Sequence, residues 1–283
     1  MNHQEGFFEG VRNTRIYHQC WLPESEPKAV LMIVHGLGEH SGRYLNVVNH
    51  FVAMGFAVYG MDHPGHGKSD GTRKYVDRFE DFIDNVKAYF DRIQGWQVGK
   101  PVFLVAHSMG GLIGAVYLLD HQAGLNGAII SGPSVKIPDN VSPVTVFIGK
   151  MLVALMPKLG LVKTAPEGVS RDPAVVQAYI DDPLVYKGKT TVRLAAEMLK
   201  AMQRISSEAA KITLPILILQ GGADWIVDPS GARMLYDLVS SADKEIKIYD
   251  GLFHEIYNEP EHPNVLRDVE RWIGARMNRC LFA

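Results

Sequence analysis

A chain of 283 residues with 29 Lys and Arg against 31 Asp and Glu has a formal net charge of −2, which leaves no basic footprint for nucleic acid and little electrostatic pull toward anionic lipid. Hydrophobic residues make up 47% of it, enough for one large α/β domain or two small ones and far from a disordered composition. The two cysteines, Cys20 and Cys280, read as free thiols of a reducing compartment, and no Cys/His spacing suggests a metal site.

Met1–Gly10 has no apolar core of the kind a secretory signal carries. Val11–Leu22 can supply one or two antiparallel strands at a sheet edge. From there short apolar runs alternate with longer amphipathic ones. The predicted strands are Ala29–Val34, Phe56–Met61, Val102–Ala106, Gly127–Ser131, Ile216–Leu219 and Glu245–Tyr249. Most are Val-, Ile- and Leu-rich without strict alternation, as in a parallel sheet covered on both faces. The intervening helices are Tyr44–Met54, Val76–Ile93, Met109–Asp120, Ser230–Val239 and His262–Met277. The expected fold class is α/β, a mostly parallel central sheet flanked by helices.

The alternation stops between about Pro133 and Ala210. That stretch holds six prolines from Pro138 to Pro183, no convincing strand, and two apolar stripes at helical spacing. One stripe is Met151, Leu152, Leu155, Met156 and Leu159; the other is Val192, Ala195, Met198, Leu199 and Met202. We read residues 134–210 as a helical cap inserted after the sixth strand, with 1–133 and 211–283 as the core. Its greasiest part, Val144–Val162, is interrupted by Lys150, Pro157 and Lys158 and is too broken to span a membrane. The expected location is the cytoplasm.

The sharpest motif is Val102-Phe-Leu-Val-Ala106-His107-Ser108-Met109-Gly110-Gly111, a buried strand entering a serine and then an apolar helix. A serine on so tight a turn needs small residues two before and two after it, here Ala106 and Gly110. The turn would lift the Ser108 hydroxyl over the sheet at a helix N-terminus and aim the Met109 amide at a developing oxyanion. The strand Ala29–Val34 ends in His35-Gly-Leu37-Gly-Glu39-His-Ser-Gly-Arg43-Tyr44, where Leu37 is the best-placed second donor.

A base and an orienting acid are expected in the chain order Ser, acid, His. His254 follows the strand Glu245–Tyr249 through Asp250-Gly-Leu-Phe. Asp224 follows Ile216–Leu219 through Gln220-Gly-Gly-Ala. Asp228, before Pro229, reads as a cap for the next helix, and Asp139 is the third candidate acid. His35 and His107 are taken as loop supports. His63 and His66 belong to a tight Pro/Gly loop, Asp62-His-Pro-Gly-His-Gly-Lys-Ser69.

These motifs, with Asp182-Pro-Leu-Val185 in the cap, resemble the monoacylglycerol lipase and lysophospholipase-like family of α/β-hydrolases from about Arg12 to Ile273. The resemblance implies a serine hydrolase with the triad Ser108, Asp224 and His254, oxyanion amides at Leu37 and Met109, and no metal or organic cofactor. It also implies a glycerol end held near Glu39 and Arg43. Two departures bear on it: Ala106 stands where Gly is more usual, and Tyr257 stands where some mammalian members carry a second His. Met151 and Leu155 are expected to line an apolar channel for the acyl chain of a small lipid ester, with the outside of the cap touching a membrane transiently. The alternatives are a general carboxylesterase, a lysophospholipase, or a proline-type aminopeptidase using acidic cap residues such as Glu167, Asp172, Asp181 and Asp182. A non-catalytic binding protein on the same fold is the rival of a different class.

Overall fold

The computed structural model describes residues 1–137 and 151–280. Five apolar runs form strands buried at every position: β3 (Val30–Val34), β4 (Ala57–Met61), β5 (Val102–His107), β6 (Gly127–Ser131) and β9 (Ile216–Gly221). A sheet covered on both faces requires that uniformity, and it is why the sequence shows no polar alternation there. The half-buried β10 (Lys244–Tyr249) pairs parallel to β9 at the edge. At the other edge β2 (Arg15–Leu22) pairs antiparallel to β4, and β1 (Asn2–Glu9) pairs antiparallel to β2. The eight strands run β1-β2-β4-β3-β5-β6-β9-β10. The early edge strands therefore begin at Asn2, outside the expected Val11–Leu22; β1 is almost wholly exposed and so carries no apolar signal.

Helices cover both faces. On one side α1 (Leu45–Ala53) and α7 (His262–Cys280) pack over Leu31, Val58, Phe103 and Ile129. On the other, α2 (Glu80–Trp96) and α3 (Met109–His121) pack over Val30, Ala57, Leu104 and Ile130. The predicted strands and helices lie where these elements are, with ends shifted by a few residues.

Between β6 and β9 no strand of the described residues joins this sheet. The segment contains helical residues 151–155, strand β7 (Gly160–Val162), α4 (Pro173–Asp181), strand β8 (Thr190–Thr191) and α5 (Val192–Glu208). β7 and β8 form a two-stranded antiparallel ribbon, which corrects the expectation that the stretch has no strand. Strands of three and two residues leave no periodicity to read. The first apolar stripe also stops being helical at residue 155, because Pro157 follows and disfavours helix at the residue before it. On α5, Leu194, Ala201, Met202 and Ile205 join the core cluster, so this helix is the seam between the inserted segment and the sheet layer. A final helix, α6 (Ser230–Leu238), follows β9. Asp139 and residues 144–150 of the apolar stretch lie outside the described residues.

Candidate active site

β5 delivers Ser108 to the carboxyl edge of the sheet, where it precedes α3 at φ 58°, ψ −122°. A non-glycine residue in the left-handed region is held there at a cost of about 1–3 kcal/mol, and such strain concentrates at functional sites. Gly110 permits the turn: a Cβ on it would lie 2.1 Å from the Val34 carbonyl oxygen and 2.4 Å from that of His35. Ala106 is accommodated because Gly114 faces it, where an added Cβ would come within 2.9 Å of the Ala106 methyl.

His254, at the end of the loop after β10, places Nε2 2.8 Å from Ser108 Oγ. Its Nδ1 lies 2.7 Å from Asp224 Oδ2, on the loop after β9. With Nδ1–H donated to the carboxylate, Nε2 is left to accept the serine proton. Asp224 is itself fixed: Oδ1 accepts the Ile226 and Val227 amides at 2.9 and 3.0 Å, and Oδ2 accepts Gln220 Nε2 at 2.9 Å. Burial disfavours charge on His254, but the hydrogen bond and charge of Asp224, with Glu255 and Glu39 nearby, outweigh it and raise the imidazole above its ordinary pKa. Asp228 behaves as the sequence suggests, its Oδ1 accepting the Ser230 amide at the start of α6.

Burial favours the neutral form of four further histidines near the site, His35, His63, His66 and His107. His107 lies against His254 with ring centroids 4.6 Å apart and planes tilted by 46°, and it bonds the Ser131 hydroxyl at 3.0 Å. Burial, then the neighbouring His254, pushes its pKa well down. His35 accepts the His63 amide at 2.9 Å, and burial holds both His35 and His66 at about 3. This cluster braces the loops behind the site.

Ser108 and His254 open into a cavity of about 480 Å³, at whose wall Leu37 also stands. Among the described residues, neither the Leu37 nor the Met109 amide is taken by a backbone carbonyl in the turns, loops and caps around it. Val162, Ala165, Met198, Met202, Ile226 and Val227 give most of the cavity an apolar lining. Its charged lining residues are Glu39 and Glu255 together with Lys136, Lys163 and Asp228. Between Glu39 and Glu255 lies Arg43, with Nη2 2.6 Å from Glu255 and Nε 3.5 Å from Glu39, under the ring of Tyr179. Burial and then Glu255 push the Glu39 carboxyl up, against the pull of Arg43. Burial opposes charge on Arg43, but Glu255 and Glu39 together hold its guanidinium above the ordinary value.

Of the expected substrate contacts, Glu39 lines the cavity. Arg43 and Tyr257 are buried behind its wall, and Met151 and Leu155 point to solvent at 51% and 75% exposure. Three of the four acidic cap residues are used elsewhere: Asp172 caps α4, Asp181 accepts from Gln177 and Asp182 meets His40. Sequence reasoning passed over Glu255, Gln220 and Tyr179. Glu255 adjoins His254, which was a usable signal; the partnership with Arg43, 212 positions away, left none.

The profile of the hydrolase family described as serine aminopeptidase, S33, matches residues 25–261. The chain is 37% identical over 273 residues to a monoacylglycerol lipase of Mycolicibacterium smegmatis, covering 96% of this chain and 98% of that protein. It is 34% identical over 264 residues to the human monoglyceride lipase, covering 92% and 87%. The crystal structure of the Paleococcus ferrophilus monoacylglycerol lipase superposes with a TM-score of 0.81 at 32% identity, over 92% of this chain and 99% of that one.

Proposed function

The chain belongs to the serine aminopeptidase S33 family of α/β-hydrolases, and from that premise we propose that it is a carboxylic ester hydrolase that cleaves monoacylglycerol to glycerol and a fatty acid. The observation that carries this reading is the relay Asp224–His254–Ser108, with links of 2.7 and 2.8 Å, opening on a mostly apolar cavity with Glu39 and Glu255 in its wall.

In the proposed reaction His254 Nε2 takes the Ser108 proton as Oγ attacks the ester carbonyl, and Asp224 stabilises the imidazolium. The Leu37 and Met109 amides receive the oxyanion, at the N-terminus of α3 where the helix dipole assists. His254 returns the proton to the leaving glycerol oxygen. It then activates a water that releases the fatty acid from Ser108. The acyl chain lies along Met198, Met202 and Ile226, and the glycerol end toward Glu39 and Glu255. No step needs a metal or organic cofactor.

The described residues between 151 and 210, α4 and α5 among them, act as the cap over this cavity. Met151, Leu155 and Met156 are all more than half exposed, which supports brief contact with a lipid surface that supplies substrate. No helix of the described residues is long and apolar enough to cross a membrane. Cys20 is a buried free thiol, which suits the reducing cytoplasm.

The test is hydrolysis of C8–C18 monoacylglycerols beside di- and triacylglycerols, a lysophospholipid and a prolyl amide. Ser108→Ala should lower kcat by roughly 10⁴- to 10⁶-fold. Activity confined to short activated esters or to the amide would sink the monoacylglycerol reading and leave the relay standing.

A further inference from the structure

Asp182-Pro-Leu-Val185 takes no part in the acyl transfer above, yet it is fastened to the loop that carries Leu37. His40 Nδ1 accepts the Gly42 amide at 3.2 Å, which leaves the imidazole proton on Nε2, and Nε2 lies 2.8 Å from Asp182 Oδ2. The other carboxylate oxygen accepts the Leu184 amide at 2.8 Å, so the turn after α4 and the His40 contact share one side chain. Further along, the Tyr186 amide donates to the Gly38 carbonyl at 2.8 Å.

Lys74 completes the fastening from below. Its side chain is fully buried, its ammonium donates to the Gly188 carbonyl at 3.1 Å, and its own carbonyl accepts Thr191 Oγ1 at 2.7 Å. Gly38 is clamped between these parts. It sits at φ 80°, and a Cβ on it would lie 2.5 Å from Lys74 Cε and 3.1 Å from the Tyr186 carbonyl oxygen. Residues 182–191 thus form a strap anchored at His40, Gly38 and Lys74. A loop with glycine on both sides of Leu37 does not hold its own amide in place, because glycine adopts many backbone conformations at little cost. An oxyanion donor, by contrast, must stand within about 2.7–3.1 Å of the developing charge.

We infer that Asp182, acting through His40, and Lys74, acting through Gly188, are positioning residues that strap residues 182–191 onto the Gly36–His40 loop and thereby fix the Leu37 amide. The inference rests on Leu37 being an oxyanion donor. It gives the cap a part in the chemical step, in addition to enclosing the acyl chain.

The experiment compares Asp182→Ala, Asp182→Asn and Lys74→Met with wild type on a C4 ester and a C16 monoacylglycerol, with Ser108→Ala as the blank. Asp182→Ala is expected to lower kcat by about 10- to 100-fold, short of the roughly 10²- to 10³-fold that outright loss of an oxyanion donor costs. The loss should be equal for both esters, with KM within about threefold of wild type, since the donor acts on the transition state. Asp182→Asn, which keeps an acceptor oxygen, should recover part of it. Lys74→Met carries the same test from the other anchor should Asp182→Ala fail to fold. A kcat within twofold of wild type in the folded variants, or a loss confined to the C16 substrate, overturns the inference. Activity surviving in Ser108→Ala would instead overturn the reading of the site on which it rests.

Discussion

Replacing Lys74 by Met keeps the reach of the side chain and removes its charge. The ammonium is fully buried, has the Gly188 carbonyl as its hydrogen-bond acceptor, and sees the Tyr186 ring at 5.8 Å. Burial lowers its pKa from 10.5 to about 8. At about 1.4 kcal/mol per pH unit, that gap means the charged form costs the folded state roughly 3 kcal/mol at neutral pH. Methionine avoids the cost but forfeits the bond to Gly188, worth about 1 kcal/mol. The variant should therefore be more stable than wild type by about 2 kcal/mol at pH 7. The sign follows from proton linkage. Below pH 8 lysine is charged in both states and the whole cost is present; between about 8 and 10.5 the folded state has given up its proton while the unfolded chain retains it, and the cost fades. Urea unfolding at pH 7 and at pH 10 measures both quantities. A variant less stable than wild type at pH 7, or a stability difference unchanged at pH 10, refutes the reasoning. Gained stability together with a kcat lowered at least fivefold would separate the role of Lys74 in the strap from any role in holding the fold.

Asp224→Asn removes the group that holds the His254 imidazolium above its ordinary pKa, so burial would then dominate and the acid limb of kcat/KM should move to lower pH. The same change should cut kcat by about 10⁴-fold, and a pH–rate profile tests both effects. Gly110→Ala forces a methyl to within 2.1 Å of the Val34 carbonyl oxygen, so the variant should lose both soluble yield and labelling of Ser108 by a fluorophosphonate. Met202→Trp fills part of the cavity wall and should shift the preferred acyl chain to shorter lengths, read as KM across C8 to C18 esters. An unchanged chain-length profile would show that the acyl chain runs elsewhere.

The sheet was legible because burial on both faces writes itself into sequence as runs such as Val30–Val34 and Val102–His107. The meeting of Ser108, His254 and Asp224 was legible for a related reason. Ser108 follows such a run directly, Asp224 and His254 stand on the loops after β9 and the half-buried β10, and parallel strands bring their carboxyl ends to one edge. What failed were inferences from stripes and from short or exposed elements. Met151 and Leu155 share helical spacing, but Leu155 is 75% exposed, since spacing marks a face and does not say whether anything lies over it. β1 escaped notice as a polar edge strand, and β7 and β8 are too short to show a period. The pairings Arg43–Glu255 and His40–Asp182 join residues 212 and 142 positions apart, and a single sequence holds no trace of such contacts.

Several costly features of this protein gather around the cavity, and their charges act on one another. Ser108 is held at φ 58° and Lys74 at φ 47° with its charge buried, while Glu39 and Glu255 in the cavity wall and Arg43 behind it gather three ionisable groups. Around His254 the carboxyl groups of Asp224, Glu39 and Glu255 outnumber the guanidinium of Arg43. That imbalance lowers the cost of an imidazolium, the species that the proposed reaction forms when Ser108 gives up its proton. In the resting enzyme it makes a neutral base harder to keep, because the raised pKa of His254 moves the acid limb of activity toward neutrality. Arg43 moderates the conflict. Held 2.6 Å from Glu255 and 3.5 Å from Glu39, it offsets part of the negative charge while leaving Asp224 as the partner that His254 touches. Removing Arg43 would therefore raise the His254 pKa further and drive Glu39 toward its protonated form, so the loss of one buried cation should appear in the pH profile as well as in substrate binding.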